Sequence, residues 1–291
     1  MTDFFSTRRP RLVALAYRML GSSAEAEDVV QDAHERFLAA EGLVAPHAWL
    51  DRVVTNLCLD RMKSARARRE AYVGPWLPEP IVTHGATWSG APVDPESISL
   101  AFLTLLERLT PLERAVYVLA EAFDYTAEEI AVAVAREPAA VRQALHRARE
   151  HVRAGKPRFA PSRDAHEAIV GTFVGAVMTG DVAAVERLLA RDVVVRSDGG
   201  GKTRAALKEV RGANAVARMI LGIARRADPS ARVERREMNG WPAIVTLLGD
   251  AVVGVTELET DGATIFTISL VANPDKLAHV TNAPRASSSG S

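Results

Sequence analysis

The spacing of apolar residues predicts that the first part of the chain is helical. Between Ala26 and Phe37 apolar side chains recur every three or four residues, as they do on one face of an α-helix. A second apolar stripe with the same spacing runs from Trp49 to Leu57, after Pro46. This pattern predicts an all-helical block over residues 1–72.

A second helical block is predicted over residues 96–155. The pairs Thr110–Glu113 and Thr126–Glu129 have the spacing of capping boxes, which begin helices. A short turn at Ala135 leads to Pro138, a residue typical of the first helical position. Two short helices joined by a tight turn are typical of a DNA-binding helix-turn-helix.

Residues 160–282 have a different pattern and predict an α+β domain. Helical stretches come first, and segments rich in Val, Ile and Thr follow them, separated by Gly and Asp turns. The predicted strands are Val193–Arg196, Arg232–Met238, Ala243–Leu248, Ala251–Leu258 and Thr264–Val271. The fold class is therefore multidomain, with two all-α domains followed by one α+β domain.

Two further segments complete the predicted organisation. Residues 73–95 contain five prolines, which favour an extended, semi-rigid linker between the two helical blocks. Residues 283–291 are small and polar, and we expect them to be a disordered tail.

Charges are balanced over the whole chain but segregated locally. Lys plus Arg and Asp plus Glu both number 36, so the formal net charge is zero. The first block has an acidic helix face, and the later segment Arg61–Arg69 holds five bases and no acid. Such a basic end suits contact with phosphates, and compensation of the helix dipole is the alternative. Residues 136–158 hold seven Lys or Arg against two Glu, which favours DNA binding over a merely solvated helix.

The composition narrows the possible locations and chemistry. The single cysteine, Cys58, allows no internal disulfide and no cysteine zinc cluster. We find no signal peptide and no apolar run long enough to cross a bilayer, so we expect a cytoplasmic protein without membrane contact. No cofactor or metal is indicated.

Several motifs in this order resemble those of a known family. Glu25–His34 resembles a polymerase-binding helix, and Ala48–Arg61 resembles a promoter-reading helix. Tyr125–Ala131 and Ala139–Arg149 resemble the helix-turn-helix of a second DNA-binding domain. Together they are similar to sigma domains two and four of the extracytoplasmic-function class of sigma factors. Ala135 departs from the family pattern, which usually has glycine in this turn. A left-handed backbone there costs alanine roughly 1 kcal/mol, so the geometry of the turn is left open.

Three further motifs narrow the resemblance to one subgroup. Trp76–Pro80 (WLPEP), Asp198–Lys202 (DGGGK) and Asn273–Leu277 (NPDKL) resemble the signature of the SigJ-like subgroup, which carries a C-terminal SnoaL-like domain of cone shape. The resemblance implies an interdomain or regulatory role for eleven motif residues. These are Trp76, Leu77, Pro78, Asp198, Gly199, Gly200, Lys202, Asn273, Pro274, Asp275 and Lys276.

The same resemblance implies three binding surfaces for core RNA polymerase (its beta-prime clamp and beta flap) and promoter DNA. The surface for the clamp consists of Asp28, Gln31, Asp32 and Glu35. The surface for the minus-ten element consists of Asn56, Arg61, Lys63, Arg66 and Arg68. The surface for the minus-thirty-five element consists of Arg142, Gln143, His146, Arg147 and Arg149.

The role of the third domain remains open between regulation and catalysis. Cone-shaped relatives enclose a pocket that could take a small molecule, and some use an Asp or His base with a Tyr partner. Here all four tyrosines precede the third block, and the candidate acids Asp198 and Asp261 lie beside glycines in predicted turns. We therefore expect a regulatory domain rather than an enzyme. A ligand-sensing helix-turn-helix repressor and a SnoaL-type enzyme with a DNA-binding appendage are the alternatives.

Overall fold

The computed structural model describes residues 2–83, 90, 95–155 and 161–281, and its side chains are not described at 2, 3, 65–70 and 95. The described chain forms two compact units. Unit 1 contains residues 2–71, 90, 95–98 and 102–155. Unit 2 contains residues 72–83, 99–101 and 161–281. The expected disordered tail lies outside the described residues.

Unit 1 is built from helices, as predicted. They are α1 (Thr2–Leu20), α2 (Ser23–Ala39), α3 (Pro46–Glu70), a 3₁₀ turn (Pro95–Ile98), α4 (Leu100–Leu106), α5 (Pro111–Phe123), α6 (Ala127–Val134) and α7 (Pro138–Gly155), of which α4 begins with two residues of unit 2. Both predicted capping boxes are present, so Thr110 and Thr126 begin α5 and α6.

The turn between α6 and α7 keeps its left-handed backbone although it lacks glycine. Ala135 has φ 51° and ψ 55°, and its N–H donates to the carbonyl of Ala131 to end α6. The sequence left this geometry open. The backbone is therefore left-handed at Ala135, and this conformation costs alanine roughly 1 kcal/mol.

Unit 2 combines four helices with one six-stranded sheet. The helices are α8 (Arg163–Thr179), α9 (Val182–Arg187), α10 (Ala213–Ala224) and α11 (Pro274–Thr281). The strands are β1 (Leu189–Asp198), β2 (Val210–Arg211), β3 (Arg232–Met238), β4 (Trp241–Leu248), β5 (Ala251–Thr260) and β6 (Ile265–Val271). Their order in the sheet is β2-β1-β6-β5-β4-β3, and the β1–β6 pair is parallel whereas the other pairs are antiparallel.

Alternating side chains divide the core of unit 2 between the two faces of the sheet. On one face, α8, α9 and α10 bury apolar residues such as Phe173 and Ile220 against Val195 and Ile268. On the other face, α11 packs Leu277 against Val245 and neighbouring strand residues. This arrangement of helices on both faces of one sheet confirms the predicted α+β domain, although β1 is longer than predicted.

The first part of the proline-rich segment belongs to this second core. Residues 72–83, here called the linker strap, are part of unit 2, and Leu77 is fully buried in the cluster with Leu277. Val82 forms an antiparallel bridge with Met238 of β3. All four tyrosines precede the third block in the sequence, but the strap carries one of them, Tyr72, into unit 2.

A buried carboxyl group lies on the strap face of the sheet. Glu257 of β5 accepts the backbone N–H of Leu100, the first residue of α4, at 3.1 Å. Its second oxygen, Oε1, has no hydrogen-bond partner among the described residues. Burial raises the pKa of Glu257 to about 8, and the hydrogen bond from Leu100 offsets only part of that shift.

We expect Glu257→Gln to change how stability depends on pH. Between pH 4.5 and 8 folded Glu257 keeps a proton that the unfolded chain has released. Wild-type stability should therefore fall as the pH rises, by about 1.4 kcal/mol per pH unit relative to the variant. Urea unfolding at several pH values between 5.5 and 7.5 measures this difference. The exposed control Glu167→Gln should follow the wild type, and equal slopes for wild type and Glu257→Gln would contradict the assignment.

Candidate functional site

The acidic face of α2 is joined to the basic half of α3 by one arginine. Arg61 reaches Asp32 Oδ2 at 3.1 Å and Asp28 Oδ2 at 3.5 Å. The structure thus pairs two residues predicted to bind polymerase with one predicted to bind DNA. Gln31 and Glu35 lie beside them on the exposed face, with Gln31 Nε2 at 3.5 Å from Glu35 Oε1.

The other predicted minus-ten residues of α3 differ in their surroundings. Asn56 donates its side-chain N–H to the carbonyl of Ala133 in α6, at 3.2 Å. Lys63 is exposed and pairs with Asp60, one turn earlier, at 3.0 Å. The side chains of Arg66 and Arg68 lie outside the described residues.

Helix α7 presents its predicted DNA-binding residues on the side away from its buried apolar stripe. Its inner side consists of Val141, Ala144, Ala148 and Val152. Arg142, Gln143, His146, Arg147 and Arg149 are all exposed. This arrangement matches the outward-facing second helix of a helix-turn-helix.

The exposed arginines of α7 are paired with glutamates of the same domain. Arg142 contacts Glu128 at 3.0 Å and Arg149 contacts Glu121 at 2.7 Å. Arg147 donates to Glu113 at 2.8 Å. The pairs of Arg142 and Arg149 are exposed on both sides and contribute about 0–1 kcal/mol each, so these two arginines can exchange a glutamate for a phosphate at little cost.

Glu113 is the one buried glutamate among these partners. Burial by itself would raise the pKa of its carboxyl group, but hydrogen bonds from Arg147 and Thr110 outweigh burial and lower the pKa below its usual value. Glu113 therefore stays charged and holds Arg147 in place beside the capping box of α5.

A second cluster in unit 2 brings together the three subgroup motifs around Asp198. Asp198 ends β1 and is fully buried. Its Oδ2 accepts the N–H of Leu77 and the ammonium of Lys276, both at 2.8 Å. Its Oδ1 accepts the hydroxyl of Tyr72 at 2.6 Å and the N–H of Gly200 at 3.1 Å. Every oxygen of this buried carboxylate is therefore hydrogen-bonded, as a buried charge requires.

Lys276 connects the same carboxylate to the linker strap. Its ammonium group donates to the carbonyl of Leu77 and lies 4.0 Å from the centre of the Trp76 ring. A cation over an indole face is attracted by the ring as well as by the carboxylate. Trp76 is thus held by a specific contact, and buried Pro78 follows it along the strap.

Asn273 and Gly200 also belong to the cluster, and they lie very close to each other. Asn273 Nδ2 donates to the Tyr72 hydroxyl at 2.8 Å. Gly200 has φ +60°, and a Cβ atom there would lie 2.3 Å from Asn273, so only glycine fits. A Cβ atom on Gly199 would lie 2.6 Å from the carbonyl of Thr203. These clashes explain why the motif is rich in glycine.

The remaining motif residues lie at the edge of this cluster. Lys202 and Asp275 form an exposed ion pair at 2.6 Å. Pro274 begins α11, so the third motif is a strand-to-helix junction as well as the end of the sheet. The structure therefore brings together all three motifs that the resemblance singled out.

A second attachment of the strap was missed by the sequence analysis. The side chain of Asn239 accepts the N–H of Ile81 at 2.9 Å, and the backbone N–H of Asn239 donates to the carbonyl of Ile81 at 2.8 Å. His279 contacts the carbonyl of Pro80 at 2.8 Å. The Asn239-Gly240 dipeptide predicts a hairpin turn. Nothing in the sequence around Ile81 indicates that this residue pairs with the turn.

The two acids considered for catalysis have structural partners. Both carboxylate oxygens of Asp198 accept the hydrogen bonds described above. Asp261 accepts the N–H groups of Ala263 and Thr264, at 2.9 and 2.8 Å, in the turn between β5 and β6. Tyr72 does lie beside Asp198, but burial and the neighbouring Asp198 carboxylate raise the pKa of its hydroxyl, which acts as a fixed donor.

Comparison with known proteins agrees with this arrangement. Sigma-70 region 2 matches residues 4–68, and Sigma-70 region 4 matches residues 99–152. The ECF RNA polymerase sigma factor SigJ of Mycobacterium tuberculosis is 39% identical over 229 residues, which cover 77% of this chain and 73% of the relative. The probable ECF sigma factor SigI of the same species is 31% identical over 92% of each chain.

A solved structure extends the similarity to the third domain. The crystal structure of M. tuberculosis SigJ matches 96% of this chain and 99% of its own, with a TM-score of 0.78 and 31% identity. Regions two and four, joined in this order, define a promoter-recognition subunit of RNA polymerase, here followed by a SnoaL-like domain. The chain belongs to the extracytoplasmic-function family of sigma factors. None of the described helices is long and apolar enough to span a membrane.

Proposed function

We propose that this sigma factor binds core polymerase through α2, reads its promoters through α3 and α7, and is regulated by unit 2. Region-two function is assigned to residues 1–72, region-four function to residues 96–155 and regulation to residues 160–282. Exposure of the α2 and α7 surfaces, away from their apolar stripes, supports this division. The site of action is the cytoplasm, where the polymerase acts.

The polymerase surface is the exposed face of α2. Asp28, Gln31, Asp32 and Glu35 would dock on the clamp of the beta-prime subunit, and region four would meet the beta flap. Asp28 and Asp32 also hold Arg61, whereas Glu35 does not contact it. Glu35 is therefore the residue that tests docking without disturbing α3.

The DNA surfaces are the basic half of α3 and the outer face of α7. Asn56, Arg61, Lys63, Arg66 and Arg68 would contact the minus-ten element. Arg142, Gln143, His146, Arg147 and Arg149 would read the minus-thirty-five element as duplex. Arginine, glutamine and histidine side chains can all address base edges in the major groove.

Control by unit 2 would act through the linker strap. The strap is part of the covalent connection between regions two and four, and Asp198 with Lys276 fixes it to the sheet. A signal that released the strap would lengthen the free tether between the two DNA-reading regions. A small molecule bound to unit 2 is one such signal.

The structural partners of Asp198 and Asp261 favour regulation over catalysis. A buried carboxylate with four hydrogen bonds is a poor general base, because donors from the protein already occupy both of its oxygens. A repressor would have no use for the polymerase-binding surface of α2.

Reversing one charge on α2 should weaken holoenzyme assembly. Glu35→Lys places a base where the clamp would meet an acid, and we expect at least about tenfold weaker binding to core polymerase. Glu41→Lys, an equal charge change in the exposed loop after α2, is the control. Titration of core polymerase with labelled sigma factor measures both. Equal affinities of the two variants would count against the assigned surface.

Neutralising α7 should reduce the salt dependence of promoter binding. Arg142→Gln with Arg147→Gln removes two bases, so the slope of log K against log salt should fall by about 1.8. The pair Arg232→Gln and Arg235→Gln makes the same charge change in β3 of unit 2. Holoenzyme binding to promoter duplex at four salt concentrations gives the slopes, and an unchanged slope for the α7 variant would remove α7 from the interface.

Breaking the Asp198 cluster should release the strap and raise transcription. Lys276→Met leaves the buried Asp198 carboxylate without its cation, at a cost of about 3–5 kcal/mol. We expect run-off transcription with core polymerase to increase severalfold. Lys202→Met, which loses only an exposed ion pair, is the control. Wild-type transcription by Lys276→Met would argue against regulation through the strap.

A further inference from the structure

Glu113 of α5 binds two different groups with its two carboxylate oxygens. Oε2 accepts the N–H of Thr110 at 3.1 Å and the Thr110 hydroxyl at 2.9 Å, as part of the capping box of α5. Oε1 accepts the Nε–H of Arg147 in α7 at 2.8 Å. One carboxylate therefore fixes the start of α5 and also an exposed arginine of the helix that is assigned to the minus-thirty-five element.

Burial distinguishes this pair from the other two arginine–glutamate pairs of α7. The side chain of Glu113 is 7% exposed, whereas those of Glu128 and Glu121 are 68% and 37% exposed. Water competes little for a buried carboxylate, so its hydrogen bond to an arginine is stronger than that of a surface pair. Arg147 is thus ordered in the free protein, and it need not lose this freedom when DNA binds.

The three pairs also use different arginine nitrogens. Arg147 gives only its Nε–H to its glutamate, and neither of its terminal nitrogens donates a hydrogen bond to any described residue. Arg142 donates to its glutamate through Nη1, and Arg149 donates to its own through Nε and Nη2. Among these three arginines, Arg147 alone keeps both terminal nitrogens free while its ion pair is intact.

The position of Arg147 on α7 directs these free nitrogens. Buried Ala144 and Ala148 flank it on the inner side of the helix, yet its own side chain is 55% exposed. A guanidinium group is planar and rigid, so fixing Nε at a buried carboxylate fixes the direction of the two terminal nitrogens. The side chain therefore presents a ready pair of parallel donors.

A pair of parallel donors suits one base in particular. Guanine presents two acceptors, O6 and N7, side by side in the major groove, and bidentate arginine is their commonest specific partner. The other three bases do not present two adjacent acceptors there. We propose that Arg147 reads a guanine of the minus-thirty-five element through Nη1 and Nη2, and that Glu113 is the positioning residue that aims it. This proposal rests on the promoter-reading function proposed above, and it selects one base-reading residue from the five assigned to this surface.

Replacing Glu113 by glutamine separates its two tasks. A glutamine side chain has one oxygen, so it cannot accept from both Thr110 and Arg147, and its amide NH₂ would face a donor. Thr110 supplies two donors and Arg147 supplies one, so the oxygen should stay with the cap and Arg147 should lose its partner.

Glu129→Gln is the matched control. Glu129 has the same place in the capping box of α6, but it accepts both donors of Thr126 with Oε2 and pairs with no arginine in the described part of the chain. Glutamine can therefore keep this cap. Both variants remove one negative charge from the helix-turn-helix, so a difference between them does not come from charge alone.

The test measures base preference in the holoenzyme. Wild-type and variant chains are assembled with core polymerase and mixed with a pool of random-sequence duplexes long enough to hold both promoter elements. Sequencing of the bound fraction gives the preference for each base at each position. The wild type should prefer guanine at one position of the minus-thirty-five element by at least about fivefold, the lower limit for a bidentate contact. Arg147→Met should abolish this preference, whereas Arg149→Met should keep it and weaken binding to all sequences alike.

We expect Glu113→Gln to lower the guanine preference at least about threefold, the effect of one weakened hydrogen bond, and Glu129→Gln to leave it unchanged. A purely structural role of Glu113 would instead weaken binding to every sequence without changing the preference at one position. Circular dichroism checks the fold. If Glu113→Gln unfolds, it is replaced by Glu113→Asp, which keeps the charge but is one methylene too short to reach both partners.

An unchanged guanine preference in a folded Glu113 variant would overturn the positioning role. A preference that survives in Arg147→Met, as it would if Arg147 contacted only a phosphate, would overturn the reading role, and so would a wild type that selects this element without guanine. Failure of the proposed function is distinguishable, because the wild-type holoenzyme would then select no sequence in this region at all.

Discussion

The buried carboxylate of Asp198 is the constraint on which the organisation of unit 2 depends. A charge removed from water is stable only when cations and hydrogen-bond donors replace its hydration. Here the donors come from the strap, from the loop after β1 and from α11, so compensating one charge fixes three distant segments together. Loss of any donor would leave the charge undercompensated, which makes the cluster cooperative.

Features that depend on neighbouring residues could be predicted from the sequence. The capping boxes at Thr110 and Thr126 involve residues three positions apart, and both were found where expected. The apolar stripe of α7 and the alternation of the strands follow from helical and extended geometry. Among the candidate residues, the outward face of α7 was predictable for the same reason, because burial of one face determines the other.

Pairings between distant segments could not be predicted, because no local pattern encodes them. Arg147 and Glu113 are 34 residues apart, and Ile81 and Asn239 are 158 residues apart. Tyr72 was assigned to the first helical block, since neither its spacing nor its neighbours indicate a partner in the sheet. The family resemblance did group the three motifs, but it did not indicate which of their atoms contact each other. That information lies in the tertiary structure.

The prolines of the strap have an entropic consequence. Pro75, Pro78 and Pro80 each fix one backbone dihedral angle whether the strap is attached or released. A released strap therefore explores fewer conformations, and each proline favours attachment by about 0.4–1 kcal/mol without any added contact. The balance between attached and released forms can thus be tuned by proline content alone, which allows related chains to set different thresholds for the same signal while keeping the polar cluster unchanged.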